Sequence, residues 1–78
     1  MIGFLSGKLL EADLNTIIID VSGVGYLVHP SASVLGKNLA VGEKIDLPVY
    51  THVREDQITL FGFSSKGELD LFKQLLTV

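Results

Sequence analysis

The chain has 78 residues, 47% of them hydrophobic and 19% charged, and its six Lys and Arg against nine Asp and Glu leave a net charge of −3. That length holds one domain and one core, and the apolar content excludes a disordered tail. The acidic balance excludes a freestanding non-specific nucleic-acid binder, which needs surplus positive charge to neutralise phosphates.

There is no cysteine, and the two histidines are far apart in the chain. Disulfide staples and thiolate zinc sites are therefore excluded, and no metal or cofactor is expected. No apolar run approaches the roughly 18 residues of a membrane-spanning helix. The N-terminus has no positively charged stretch ahead of its apolar residues, as a secretory signal would. A cytoplasmic location with no membrane partner is the expectation.

The first two-thirds of the chain predict strands. Residues 1–10 are apolar but broken by Gly3 and Gly7, and a strand glycine marks a bulge, a bend or a close backbone approach. Asp13, Leu14 and Asn15 form a turn. Residues 16–21 hold three consecutive Ile; Ile17, Ile19 and Val21 are assigned inward, Thr16, Ile18 and Asp20 outward. Ser22-Gly23-Val24-Gly25 has the composition of a hairpin connection, and residues 26–29 are a short return strand.

Residues 30–40 predict at most one helical turn, capped by Ser31 or Ser33 and ended by Gly36. After a turn at Val41-Gly42-Glu43, residues 44–53 alternate. Ile45, Leu47, Val49, Thr51 and Val53 share one face, and Lys44, Asp46, Pro48, Tyr50 and His52 share the other. Pro48 cannot donate to a ladder, which predicts an edge or a bulge. Arg54-Glu55-Asp56 interrupts the apolar pattern as a hairpin tip, and residues 57–63 are the last strand.

The period then changes. Ser65 and Glu68 have the spacing of a capping box. Leu69, Phe72 and Leu76, flanked by Leu71 and Leu75, make an amphipathic helix whose apolar side is expected in the core. No Gly or Pro follows, and Thr77-Val78 has the look of a cut, so a fragment of something longer is expected. The fold class that results is mainly β, a five-stranded OB-fold Greek-key barrel with a C-terminal α-helix. It is one domain, with residues 1–63 as barrel and 64–78 as the helix packed on it. An SH3-like barrel fits the same pattern.

Few residues have the pattern of a chemical site. Glu55 and Asp56 are adjacent carboxylates, but a hairpin tip is the opposite of the cleft that acid–base catalysis needs. Their plain reading is a solvated turn; the sharper one is a fixed negative prong that repels a polyanion. Gly23-Val24-Gly25 lacks the third glycine and the helix of a dinucleotide loop. Tyr26 and Tyr50 are candidate platforms for stacking single strands, although only Lys44 supplies a cation near Tyr50. No Gly-rich Lys-Ser/Thr loop is present, so ATP hydrolysis does not belong to this chain.

Several segments together resemble a known family. They are Met1-Ile2-Gly3 with Leu5 and Gly7, Val21-Ser22-Gly23-Val24-Gly25-Tyr26, Val53-Arg54-Glu55-Asp56-Gln57, Leu60-Phe61-Gly62-Phe63, and Glu68 with Leu71, Phe72 and Leu75. In this order they are similar to the N-terminal domain of the RuvA family of Holliday-junction-binding subunits, over the whole chain. The resemblance implies an OB fold and a four-fold homotetramer. It implies an acidic pin at the junction crossover, matched here by Glu55 and Asp56, with Arg54 DNA-proximal beside them. The implied partners are four-way junction DNA, the RuvB motor ATPase and the RuvC resolvase. The implied role is non-catalytic, with ATP hydrolysis in RuvB. The family's helix-hairpin-helix motifs and motor-binding domain have no counterpart in these residues. A freestanding OB module that binds single strands or a protein is the alternative.

Overall fold

The computed structural model describes residues 1–77; the expected cut at Val78 lies outside them. Five strands and two helices follow in chain order. They are β1 (Phe4–Ala12), β2 (Ile17–Val21), β3 (Val24–Pro30), α1 (Ala32–Leu35), β4 (Lys44–Val53), β5 (Ile58–Gly62) and α2 (Lys66–Leu76). The strands close into a barrel in the order β1-β2-β3-β5-β4, with β4 returning to β1. All pairs are antiparallel except β3–β5, a parallel seam joined only at His29↔Phe61 and Pro30↔Gly62. This is the OB arrangement.

Side-chain alternation fills the barrel. Leu5 and Leu9 from β1, Ile17 and Ile19 from β2, Val28 from β3, Leu47 and Val49 from β4 and Leu60 from β5 form one buried cluster, closed by Val34 of α1. Each such side chain, fully buried, contributes about 1.5–3 kcal/mol. Thr51, the one buried polar residue among the described residues, exchanges hydrogen bonds with the N–H and C=O of Ile2, which ties the N-terminus to β4.

Several sequence expectations are corrected. The first strand begins at Phe4 and runs on to Ala12, past the expected end at Leu10, with its register shift between Leu9 and Glu11. The close approach falls at Gly7, where a Cβ would clash with the Asp20 carbonyl oxygen. The connection after Val21 is two residues, not four. Ser22 (φ 53°) and Gly23 (φ 88°) turn the chain in the left-handed region, and Val24 and Gly25 already pair with Val21 and Asp20. The two positive φ angles are those of a tight hairpin turn that matches strand twist.

Pro48 marks neither an edge nor a bulge but a change of partner. Lys44 to Pro48 pair with β1, and Val49 to Val53 pair with β5. The missing N–H thus falls where β4 passes from one ladder to the next. Val53, expected inward, is 59% exposed because it lies beyond the barrel on the projecting hairpin.

In α1, Ser31 rather than Ser33 is the N-cap. In α2, Ser65 caps as expected, its Oγ accepting from the Glu68 N–H at 3.1 Å. The reciprocal bond misses Ser65. Glu68 Oε1 instead accepts from the Ser64 N–H at 2.8 Å. Of the helix's apolar side, only Leu69 is buried, with Phe72 half-buried; Leu71, Leu75 and Leu76 are exposed, against the expectation of a core face.

Candidate functional site

The β4–β5 hairpin carries the candidate residues. Its loop is the pair Glu55-Asp56, closed by Arg54 and Gln57. The Arg54 N–H donates to the Gln57 carbonyl at 2.7 Å, and the return bond from the Gln57 N–H spans 3.5 Å. The next rung down is Val53↔Ile58, and both side chains are exposed. The tip is therefore a two-residue turn held on a regular antiparallel ladder. Such a mount projects its charges away from the body of the barrel.

Glu55 and Asp56 are both exposed. Among the described residues neither carboxylate has a hydrogen-bond or ion-pair partner; the one salt bridge found is Lys66–Asp70, elsewhere on α2. Two uncompensated negative charges thus occupy the end of a hydrogen-bonded hairpin. Among the described residues no group of three His, Asp or Glu side chains is placed to hold a metal. A surface depression of about 300 Å³ lies at the other end of β4, against Leu9, Val34, Lys37, Leu39, Lys44 and Asp46. None of the residues lining that depression belongs to the β4–β5 tip.

Arg54 does not pair with the carboxylates beside it. Its Nε donates to His52 Nε2 at 3.1 Å. Sequence reasoning missed this bond, although the i, i+2 spacing on a strand was its available signal. His52 in turn stacks on Tyr50, with ring centroids 6.5 Å apart. The Tyr50 ring meets Phe72 of α2 edge-on at 5.4 Å.

Tyr50 is therefore half-buried against the helix, and Tyr26 is packed on the core. Neither ring is the free platform that the single-strand reading needs. His29 packs against Phe61 at 5.8 Å. Of the glycines after Val21, Gly23 serves the hairpin turn described above and Gly25 lies in β3, paired with Asp20.

Comparison with known proteins decides the family. The sequence profile described as RuvA N terminal domain matches residues 1–62. The chain belongs to the RuvA N-terminal domain family. Relatives of this family member include "Holliday junction branch migration complex subunit RuvA" of Bdellovibrio bacteriovorus, 49% identical over 79 positions. Proteins of the same name from Methylobacterium radiotolerans and Myxococcus xanthus are 49% and 50% identical over 78 positions. Each match covers the whole chain but only 40%, 38% and 39% of the respective relative. The chain thus spans about two-fifths of the length of the curated relatives it matches.

Proposed function

We propose that this chain is the platform domain of a Holliday-junction-binding subunit, and that Glu55 and Asp56 form an electrostatic pin at the crossover. The observation that carries this reading is the tip itself: two exposed, unpaired carboxylates at the end of a paired hairpin, in a member of the RuvA N-terminal domain family. The working form is a homotetramer that brings four such tips to the centre of a four-way junction. Arg54 lies close to DNA at the shoulder of each tip.

The mechanism is electrostatic and geometric. Two unit charges about 4 Å apart interact by roughly 1 kcal/mol in bulk water and about 4 kcal/mol at an effective dielectric of 20. Phosphates converging on the crossover meet several such repulsions. Stacked arms are disfavoured, an open planar junction is favoured, and strands are kept apart while base pairs exchange. Because repulsion lowers affinity, the binding energy comes from positively charged groups elsewhere in the protein. The chain itself is non-catalytic. RuvB supplies ATP hydrolysis, RuvC resolves the junction, and the site of action is the cytoplasm.

The test uses the protein as its gene encodes it, with Glu55→Gln and Asp56→Asn together. The expected result is tighter binding to DNA of any form and a blunted preference for four-way junction over linear duplex. An unchanged preference overturns the pin.

A further inference from the structure

The position of Arg54 calls for an explanation. An arginine next to two free carboxylates is expected to fold onto them, yet its Nε is committed to His52. Among the described residues its two terminal nitrogens have no partner, and it forms no ion pair with Glu55 or Asp56. We propose that His52 is a positioning residue that holds the Arg54 guanidinium back along β4, so that its free fork is presented to a junction phosphate. This rests on the pin reading for the identity of the ligand.

Three observations support the assignment. First, strand alternation places Tyr50 and His52 on the face of β4 turned away from the core, and Arg54, the first residue beyond β4, reaches back to His52 from the tip. Second, the imidazole is itself held. Tyr50 stacks on one side of it, and Phe72 holds Tyr50 from α2. Across the ladder, its register partner Thr59 accepts from Gln57 Nε2 at 3.3 Å, whereas the Arg54 Nε hydrogen bond goes to His52. Third, the chemistry of the pair is directional. Arginine has donors only, so His52 Nε2 must offer its lone pair, with the proton on Nδ1.

The consequence is a separation of charge. The carboxylates are left unpaired at the end of the prong, while one positive fork lies at its shoulder. A planar guanidinium with both terminal nitrogens free matches the geometry of a phosphate. Without His52, Arg54 is released to the adjacent carboxylates, and both features are weakened together.

The experiment measures the salt dependence of binding to a synthetic four-way junction, with the protein as its gene encodes it. The variants are His52→Val, His52→Gln, His52→Asn and Arg54→Ala, each first shown by circular dichroism to be folded. Gln carries an acceptor oxygen about where Nε2 lies; Asn carries one about where Nδ1 lies.

Removing one Arg54–phosphate interaction is expected to lower the slope of log K against log salt by about 0.9. His52→Val and His52→Asn are expected to show the same reduction as Arg54→Ala. His52→Gln is expected to retain the parent slope, and His52→Val added to Arg54→Ala is expected to change nothing further. A parent-like slope in His52→Val overturns the proposal, as does a His52→Gln variant as impaired as His52→Val. The slope is read independently of junction preference. Failure of the pin, seen with the Glu55 and Asp56 variants, is thus distinguishable from failure of the positioning role.

Discussion

The Ser31 hydroxyl donates to Glu68 Oε1 at 3.0 Å, joining the N-cap of α1 to the first turn of α2. The same oxygen accepts from the Ser64 N–H and the Ser64 hydroxyl. One carboxylate thus fixes the start of the C-terminal helix to the loop that plugs the barrel. The Ser64 N–H, assisted by the hydroxyls of Ser33, Ser31 and Ser64, holds the Glu68 carboxyl below the ordinary glutamate value; partial burial opposes this but does not win. Hydrogen bonds to the charged form have that sign.

A carboxyl whose pKa is depressed by folding stabilises the fold only while it is ionised. Its contribution is fully present above the unfolded glutamate value of about 4.3 and is lost as pH falls through the lower folded value. Glu68→Gln is therefore expected to be less stable than the parent at pH 7 and to approach it at pH 3. Urea midpoints at the two pH values check this; a gap that stays constant overturns it.

Gly7 is irreplaceable for a reason of space. Its Cβ would meet backbone, the Asp20 carbonyl, rather than a side chain able to swing away. Gly7→Ala is expected to cost about 1–3 kcal/mol as the β1–β2 pair is forced apart. Thermal unfolding reads this as a fall of about 4–8 °C for each kcal/mol.

Gly23 is constrained by conformation instead, since nothing crowds it but its φ is 88°. Gly23→Val is expected to cost about 1–2 kcal/mol, the penalty for an L-residue held in the left-handed region. A substitution at Gly3, which has open space and no positive φ, is the control and is expected to be near neutral.

The apolar side of α2 divides sharply. Leu69 is 6% exposed, whereas Leu71 and Leu75 are 58% and 67% exposed. Leu69→Ala is expected to cost about 2–5 kcal/mol. Leu71→Gln and Leu75→Gln, both to good helix formers, are expected to stay within about 0.5 kcal/mol. Chemical denaturation of the isolated chain checks the contrast. A large loss at Leu75 overturns the observed orientation of the helix.

Much of the fold was legible in the residues because its signals are local. Strict alternation over Lys44–Val53, the Ile run at Ile17–Val21 and the Ser65 cap each depend on spacing along a few residues. Glu55 and Asp56 were legible as a tip for the same reason, since two charges break two apolar alternations. The errors share a cause as well. Val53 continues the inward alternation and Leu71 the helical one, but a period says which residues share a face, not where the core ends. Val53 lies above the barrel and Leu71 beside it, so their apolar surface stays in solvent.

The sequence by itself determined the strand order along the chain, the barrel class, the acidic tip and the family resemblance, because these follow from patterning and from motifs in fixed order. Only the tertiary structure decided that Pro48 marks a change of ladder, that Glu68 reaches Ser31, and that Arg54 turns to His52 rather than to its neighbouring carboxylates. The Pro48 ladders and the Ser31–Glu68 bond join residues distant in the chain. The choice made by Arg54 depends on an imidazole held in place by Tyr50 and, through it, by a helix that begins twelve residues further on. The first two relationships are set by closure of the barrel, which brings distant groups within bonding distance that no local spacing encodes; for Arg54 the i, i+2 spacing offered His52 as a partner but did not choose it over the adjacent carboxylates.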